Sequence, residues 1–462
     1  MSLILPLIPL LLSLVLILLT RKIAISLLGG FLLGALLYKW GAWGELPVYL
    51  WETCRGALLN PWHYSALIFT ALLGGFATLL REGGGLARLF QNVDTRRGLE
   101  LRTIGLGLLC FFDGLASGVI IARVVRPVAD RLRVPREKVA YLADTTSSAV
   151  ACLAPISTWI AMQLGLIGAV LADRGLALSP YGLFLHSIPL NFYCVLSLLL
   201  AIGLAMAGRD YGPMRHAKRS ARRPAEHLIP PTRLRVPLIG IGTLLVGIPV
   251  LYYMMGTEAL LPFSWAKLAD ALGSNAGPTV FICMGGISIA VLLALPPYGA
   301  DRMAAKALAA GKGIGTMVVP LLVLISAWLF GAVIKDLGLA TQLAQLMGDA
   351  PDLRWLPALT FLLGCVLSFC TGTSWGTMAL LFPLAFGALG AVDDALFIEA
   401  APLLIAAIFS GSVFGDHCSP YSDTTIVSAA AAGCSPYQHV RTQLPYALTA
   451  GAGALLLFLL CA

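Results

Sequence analysis

Residues 414–445 read FGDHCSPYSDTTIVSAAAAGCSPYQHVRTQLP, and the rest of the chain is best interpreted around them. Asp416, His417 and Asp423 stand among Ser, Thr, Gly and Ala, with apolar residues on both sides. Ionisable groups at membrane depth are costly, and they usually face an internal cavity. Glycines and prolines interrupt a helix and free backbone carbonyls that can coordinate a cation. The stretch therefore predicts a broken membrane helix with a polar site; a cytoplasmic loop after a spanning helix is the alternative.

The composition of the whole chain is typical of a membrane protein. Hydrophobic residues make up 58% of the chain and charged residues 12%, whereas about 25% of residues are charged in soluble proteins. The net charge of +8 is concentrated in loops, so it indicates membrane orientation rather than a nucleic-acid partner. The ten cysteines are scattered without a CxxC pair, which favours small buried residues over disulfides or metal ligands. The sequence therefore predicts an all-α polytopic membrane protein in a lipid bilayer, with residues 3–20 as its first span.

Two basic loops, at residues 81–102 and 123–138, enclose a short apolar run at residues 103–122. Lys and Arg accumulate on the cytoplasmic side of membrane proteins, so we expect both loops to lie there. The run between them is then a re-entrant hairpin with Asp113 and Gly114 near its tip. One ordinary span with an exported basic loop is the alternative.

The order of charged loops and apolar runs repeats along the chain in the opposite orientation. The first predicted repeat is residues 1–208, with scaffold spans in 1–80 and a hairpin and broken helix in 103–208. A basic cytoplasmic linker at 209–235 leads to the second repeat, 236–462, with scaffold spans in 236–335 and a hairpin and broken helix in 357–462. Each repeat would hold three spans, a re-entrant hairpin, a broken helix and a final span. Such inverted repeats bind substrate and coupling ions near the membrane midplane on discontinuous helices.

Short matching strings support the repeat. Residues 113–118 (DGLASG) align with residues 371–376 (TGTSWG), and residues 143–147 (ADTTS) align with residues 422–426 (SDTTI). This alignment predicts that Asp144 and Asp423 occupy equivalent places in the two repeats.

Buried carboxylates next to hydroxyl groups are the candidates for binding a cation and a proton. Burial raises the pKa of a carboxylic acid and a bound cation lowers it, so one carboxylate can hold either partner. Asp144 and Asp423 are the leading candidates, followed by Asp113 and Asp416; a helix cap or an internal salt bridge is the alternative for each. For His417 a structural hydrogen bond is the alternative to a proton relay. The hydroxyl groups beside the leading aspartates belong to Thr145, Thr146, Thr424 and Thr425.

Small and polar residues of the two hairpins and of the break in the last broken helix are expected to line the substrate path. They are Gly114, Ser117, Thr371, Gly372, Thr373, Ser374, Ser419 and Ser422. No nucleotide-binding loop, HExxH motif or paired catalytic constellation is present in the sequence, which argues against an enzyme.

The string GDHCSPYSDTT at 415–425, followed by HVRTQLPYAL at 439–448, resembles the signature of NhaC-type sodium/proton antiporters, within the ion-transporter-like superfamily. TGTSWGTM at 371–378, RPVADRLRVPREKVAYLADTT at 126–146 and LAPISTW at 153–159 resemble the same family. The resemblance implies alternating-access exchange of Na⁺, or another monovalent cation, for protons. It implies no cofactor besides these ions, no transition metal, a bacterial inner membrane and, by analogy with transporters of this plan, a homodimer through the scaffold.

The first hairpin departs from the family pattern. Where the family reads FDDYAN, residues 112–117 read FDGLAS, so one carboxylate, a Tyr and an Asn are missing. Fewer carboxylates predict weaker cation binding or fewer charges moved per cycle. The vacated volume at Gly114 and Leu115 would instead admit a larger substrate. The second functional class is therefore Na⁺- or H⁺-coupled transport of a small organic solute, such as an amino acid or a carboxylate.

Overall fold

The computed structural model describes residues 4–20, 22–83, 85–217, 233–256, 263–272, 276–295, 303–339, 353–390, 392–420 and 422–461, together with the single positions 261, 274 and 342. Most of the predicted basic linker, residues 218–232, lies outside these residues. Within them the chain forms helices joined by short turns, and no β-strand is present. The predicted all-α fold is confirmed.

Helices before the linker follow one another at short intervals. They are α1 (Ile4–Thr20), α2 (Ile23–Tyr38), α3 (Leu46–Leu59), α4 (Pro61–Gly83), α5 (Arg96–Leu109), α6 (Gly114–Arg131), α7 (Arg136–Leu153), α8 (Thr158–Asp173), α9 (Pro180–Ser187) and α10 (Phe192–Ala207). Residues 41–60 contain α3, whose first turn includes a proline that suits a helix start.

The second part of the chain has the same character. Its helices are α11 (Arg235–Gly256), α12 (Trp265–Leu272), α13 (Gly277–Ala294), α14 (Met303–Thr316), α15 (Val318–Asp336), α16 (Leu356–Thr371), α17 (Ser374–Ala388), α18 (Asp394–Cys418), α19 (Asp423–Ala432) and α20 (Pro436–Leu460).

Nine helical segments of the described residues are long and apolar enough to cross a membrane, and α1, α2 and α17 are shorter apolar helices. Many large apolar side chains remain exposed at the surface of the folded chain, among them Leu19, Trp51 and Leu261. Such a surface suits hydrocarbon rather than water. The protein is a multi-pass integral membrane protein.

The scaffold helices pack across the two halves of the chain. Helix α2 packs against α1 and α15, and α4 packs against α13 and α14. Each half thus contributes a helix to the core of the other. This packing agrees with a paired scaffold, while the inverted orientation of the two halves stays a prediction.

Two helix breaks contain a proline followed by a serine cap. Pro155 lies between α7 and α8, and Pro420 lies between α18 and α19, each two residues before the cap. The Ser157 hydroxyl accepts a hydrogen bond from the N–H of Ile160, and the Ser422 hydroxyl accepts one from the N–H of Thr425. Proline cannot donate to a helix, and a serine oxygen satisfies one of the free N–H groups of the next helix. The sequence thus ends one helix and begins another at both places.

Two further breaks separate α5 from α6 and α16 from α17. Asp113 caps α6 through the N–H of Ala116, and Thr373 caps α17 through the N–H of Gly376. Gly372 has a positive φ of 68°, a backbone conformation that glycine adopts without a steric penalty. The first of these breaks falls where the sequence placed the hairpin tip.

The outer ends of α5 and α6 lie together. The Arg131 guanidinium, at the end of α6, donates to the carbonyl of Val93, just before α5, at 2.6 Å. The segment between them therefore goes out and returns to the same end of the molecule.

The helix positions contradict the sequence alignment of the two repeats. Asp144 lies in the interior of α7, well before its break, whereas Asp423 is the first residue after the break that begins α19. The residue at the position of Asp423 is Thr158, the first residue of α8. The helix caps likewise make Thr373, and not Thr371, the counterpart of Asp113. Equal short strings misled the alignment because the Pro and Ser of the breaks, rather than the Asp-Thr-Thr strings, mark equivalent backbone positions.

Candidate functional site

Asp113 joins the break of the first hairpin to the break between α7 and α8. Its Oδ1 accepts from the N–H of Ala116 at 2.7 Å, and its Oδ2 accepts from the Thr158 hydroxyl at 2.8 Å. The backbone N–H of Thr158 also donates to the carbonyl of Phe112 at 3.0 Å. Asp113 is thus a helix cap and an interhelical link, the structural alternative given for it above.

Asp416 is enclosed by hydroxyl groups at the break between α18 and α19. The Ser374 hydroxyl, at the start of α17, donates to its Oδ2 at 2.8 Å, and the Ser422 hydroxyl makes a very short hydrogen bond to its Oδ1. The Thr424 hydroxyl lies 3.0 Å from that of Ser422. Asp416 is buried. The second hairpin and the last break therefore present oxygen atoms to one carboxylate near the negative C-terminal end of a helix.

Asp144 is the centre of a second buried polar group. Its Oδ2 accepts from His439 Nε2 at 3.2 Å and from Gln443 Nε2 at 2.9 Å, both on α20, and from the Thr425 hydroxyl at 3.3 Å. Its Oδ1 has no hydrogen-bond partner among the described residues, nor has Nδ1 of His439. Both side chains are 0% exposed. A buried acid and imidazole in contact, each with an unused polar atom, have room for one more proton between them.

His439 is a site residue that the sequence did not identify. It lies inside α20 and its ring contacts Asp144. Gln443 was also missed as a site residue. The available signal was their spacing of four residues, which places both on one face of a helix.

Thr425 connects the Asp144 carboxylate to the backbone at Asp416. Its hydroxyl oxygen lies 3.3 Å from Asp144 Oδ2 and 3.2 Å from the backbone carbonyl oxygen of Asp416. The single hydroxyl hydrogen can serve only one of these acceptors at a time. A change at the Asp144 carboxylate can therefore reach the end of α18 that carries Asp416.

His417 is held by structural contacts. Its Nδ1 lies 2.9 Å from the Tyr193 hydroxyl, and its carbonyl oxygen accepts from Gln443 Nε2 at 2.8 Å. Its Nε2 has no partner among the described residues. These contacts fix α18 to α10 and α20, and the His417 ring also lies close enough to Asp144 for their charges to interact. The proton-relay role of His417 stays a prediction.

Asp423, a leading candidate from the sequence, does not join either group. Its side chain is exposed, and its Oδ1 accepts only from the neighbouring N–H of Thr424 at 2.9 Å. It lies close enough for its charge to act on Asp416 and Asp144. Asp416, ranked lower, has the better oxygen environment.

The remaining candidates lie on helix faces and at helix ends around the site. Thr146 donates to the carbonyl of Leu142 at 2.6 Å, and Thr145 hydrogen-bonds to Tyr141. Ser117 makes a very short hydrogen bond to the carbonyl of Cys110, Thr371 lies 3.3 Å from Thr377, and Gly372, Thr373 and Ser419 occupy helix ends.

The space expected at Gly114 is filled. A Cβ atom there would lie 2.8 Å from Nε1 of Trp159, which covers the hairpin from α8. The missing family side chain is thus replaced by an indole, so the expectation of vacated volume is wrong at this position. Among the described residues, no group of three or more His, Cys, Asp or Glu side chains could hold a metal ion.

Comparisons with known proteins agree with a transporter. The model of the Na⁺/H⁺ antiporter family matches residues 150–462. An uncharacterized protein of Haemophilus influenzae is 30% identical over 472 residues, covering 96% of this chain and 88% of that protein. The malate-2H⁺/Na⁺-lactate antiporter of Bacillus subtilis is 38% identical over 85 residues, which cover 18% of this chain and 17% of that protein. The solved YdaH transporter of Alcanivorax borkumensis has a similar fold, with a TM-score of 0.61 and 16% identity over 90% of this chain and 88% of that chain.

Proposed function

The chain belongs to the Na⁺/H⁺ antiporter family, and from this premise we propose that it exchanges Na⁺ for protons by alternating access. It is a secondary transporter and not an enzyme. We place it in the inner membrane of a bacterium, with Na⁺ and H⁺ as its transported ions and no other cofactor.

The observation that carries the proposal is a pair of buried carboxylates with different partners; the Thr425 hydroxyl lies between the carboxylate of Asp144 and the backbone carbonyl of Asp416. Asp416 is surrounded by hydroxyl groups, which can rotate and turn their lone pairs toward a cation. Asp144 is surrounded mainly by the N–H groups of His439 and Gln443, which cannot. We therefore assign the cation to the Asp416 side of the site and the proton to the Asp144 side.

Exchange then follows from the cost of buried charge. An ionised carboxylate far from water needs a cation or a proton, and an empty buried site with several negative charges is unfavourable. Na⁺ at Asp416 supplies one positive charge near Asp144. When Na⁺ leaves, the site lacks that positive charge, and a proton bound at Asp144 and His439 restores it. We expect the change to pass through Thr425, whose hydroxyl lies between the Asp144 carboxylate and the backbone carbonyl of Asp416.

The test uses purified protein in vesicles loaded with a pH-sensitive dye and given an outward or inward Na⁺ gradient, with Li⁺ and K⁺ in parallel. Wild type is expected to move protons against Na⁺. Asp144→Asn is expected to abolish the flux, and Asp416→Asn to reduce it strongly at the Na⁺ concentration that half-saturates wild type. Asp393→Asn is the matched control, because Asp393 is an exposed cap at the far end of α18. Absence of cation-driven proton flux in wild type would refute the proposal.

A second candidate is Na⁺- or H⁺-coupled transport of a small organic solute. The observation in its favour is the matching segment of the malate-2H⁺/Na⁺-lactate antiporter. In the same vesicles, Na⁺-dependent uptake of labelled lactate or malate without Na⁺/H⁺ exchange would favour this candidate.

We also propose that two copies associate through the scaffold helices α1–α4 and α11–α15. Light scattering of the purified protein should give the mass of a dimer. A monomer mass would contradict this part of the proposal.

A further inference from the structure

A cluster of charged side chains lies buried on the other side of α7 from the breaks. Lys138 Nζ lies 2.7 Å from Asp210 Oδ1 and 3.7 Å from Glu100 Oε2. Arg96 Nε donates to Glu100 Oε1 at 2.6 Å and its Nη2 makes a very short contact with Asp210 Oδ2. Two cations thus face two carboxylates, and the Lys138 side chain is 0% exposed.

Tyr446 ties this cluster to α20. Its hydroxyl donates to Asp210 Oδ1 at 2.8 Å, on the same oxygen that Lys138 contacts. The Lys138 Nζ also lies 5.7 Å from the centre of the Tyr446 ring and 5.2 Å from that of Tyr141. The cluster therefore joins α5, α7 and α20 through one carboxylate that follows α10.

Buried ion pairs of this kind contribute little net stability compared with apolar packing, because both charges lose their water. Such pairs do fix the relative orientation of the groups that they join, because each hydrogen bond is satisfied in one geometry only. Because the Lys138 charge is completely buried at this cost, we look for its purpose in the helices that the cluster orients.

The cluster and the candidate site lie on the same two helices, α7 and α20, so the cluster can orient the site. On α7, Asp144 follows Lys138 by six residues, about 9 Å along a helix. On α20, His439 precedes Tyr446 by seven residues, about 10 Å in the opposite direction. Both pairs of residues meet, so α7 and α20 are antiparallel and are joined at two levels, once by the ion cluster and once by Asp144 with His439 and Gln443.

We infer that Lys138 and Tyr446 are positioning residues, which hold α20 in register with α7 and thereby keep His439 and Gln443 against Asp144. A slide by one helical turn moves α20 by about 5.4 Å. The 3.2 Å contact between His439 and Asp144 would not survive such a slide. The use of this register in ion exchange rests on the proposed function, but the register itself does not.

The test replaces one hydroxyl while keeping the ring. Tyr446→Phe removes the link between α20 and Asp210, and Tyr252→Phe is the matched control, because Tyr252 is a buried tyrosine of α11 whose hydroxyl has no partner among the described residues. Ring-labelled histidine NMR of the protein in lipid nanodiscs reports the environment of the six histidines, and His439→Gln identifies the His439 signal. Tyr446→Phe is expected to shift or broaden the His439 signal, and Tyr252→Phe to leave it in place.

The half-saturating Na⁺ concentration for transport provides a second readout, which a loss of folded protein would not change. Fewer folded molecules lower the maximum rate only, whereas a displaced His439 raises the half-saturating Na⁺ concentration, by at least about threefold if part of one charged hydrogen bond is lost. Lys138→Met should act in the same direction and more strongly, with Lys306→Met, another buried lysine remote from α7, as its control.

An unchanged His439 signal in both Tyr446→Phe and Lys138→Met would overturn the inference, and so would a lower rate at an unchanged half-saturating Na⁺ concentration. If wild type exchanges no Na⁺ while the His439 signal still moves in Tyr446→Phe, the proposed function fails and the positioning role stands.

Discussion

At the scale of single residues, the carboxylates differ in what surrounds them rather than in their neighbours along the chain. Asp423 precedes two threonines and yet is exposed, while Asp416 precedes a histidine and is buried among hydroxyl groups. A carboxylate in water binds Na⁺ weakly, because both ions are already well solvated. The buried carboxylate is therefore the better place for selective binding.

This difference gives a graded prediction for two Asp→Asn variants. Asp416→Asn should raise the half-saturating Na⁺ concentration by at least about tenfold, the effect of losing about 1.4 kcal/mol of binding free energy. Asp423→Asn should have a smaller effect, because it removes only a nearby charge. The Na⁺ dependence of proton flux in vesicles measures both. Equal effects of the two variants would mean that Asp423 turns into the site during transport.

Gly114 supports a prediction about stability. A Cβ atom there would meet the indole of Trp159 at 2.8 Å, so Gly114→Ala should lower the free energy of unfolding by about 1–3 kcal/mol through overpacking. Gly105→Ala in α5 is the control, since nothing lies within 4 Å of its added Cβ. Thermal unfolding of both variants in the same detergent provides the comparison. A Gly114→Ala protein as stable as wild type would show that Trp159 moves aside easily and that the hairpin has spare volume after all.

At the scale of elements, Ser422, the N-cap residue of α19, has two roles. Ser422 accepts from the N–H of Thr425 and also donates to Asp416, whereas Ser435 only caps α20 through the N–H of Gln438. Loss of either cap should cost about 1 kcal/mol of stability. Ser422→Ala should in addition weaken Na⁺ binding, because one of the two hydroxyl partners of Asp416 disappears.

Unfolding and transport assays on Ser422→Ala and Ser435→Ala separate these tasks. Similar losses of stability with a change of Na⁺ affinity in Ser422→Ala alone are expected. A change of affinity in both variants would indicate that the helix ends, rather than the Ser422 hydroxyl, control the site.

Arginines join the two halves at the outer ends of the broken helices. Arg136 donates to the carbonyl of Gly433, at the end of α19, and pairs with Asp130. Arg174, at the end of α8, donates to the carbonyls of Leu389 and Val392 in the other half. Helix C-termini and carbonyl groups attract cationic side chains. Each half therefore contacts an outer end of the broken helix of the other half.

At the scale of the whole molecule, the first hairpin makes a prediction about topology. The contact between Arg131 and Val93 brings the loop before α5 to the end of α6, and both regions are rich in arginine. We expect both to face the cytoplasm. Cysteines introduced at the exposed positions Asp94 and Arg133 should react with an impermeant maleimide from the same face of the membrane. Reaction from opposite faces would refute the re-entrant hairpin.

The inverted repeat stays a prediction, but its internal register is now better defined. The breaks equate Pro155 with Pro420 and Ser157 with Ser422, and the scaffold packing of α2 on α15 resembles that of α13 on α4. A superposition of the halves should therefore place Ser157 on Ser422, and not Asp144 on Asp423. The domain boundaries at residues 208 and 236 depend on the same superposition.

The sequence by itself determined the class of the protein, because hydrophobic runs of bilayer length, Pro and Gly at helix breaks, and Ser, Thr or Asp caps act locally and are legible without neighbours. It also determined the family, through strings such as GDHCSPYSDTT. Asp113, Asp416 and Thr425 were among the candidates for the same reason. A polar residue near a break in an apolar helix has few polar partners other than those at the break.

Only the tertiary structure decided which polar atoms meet. His439 and Gln443 were not among the site candidates, because only the antiparallel packing of α20 on α7 turns both toward Asp144. Asp423 remains outside both groups because, as the first residue of α19, it accepts from the N–H of the next residue, Thr424, instead. The gap at Gly114 is closed by Trp159, from a helix that begins over forty residues later. Contacts between residues distant in the chain depend on how helices pack, and packing is set by the whole apolar surface of each helix rather than by any short string.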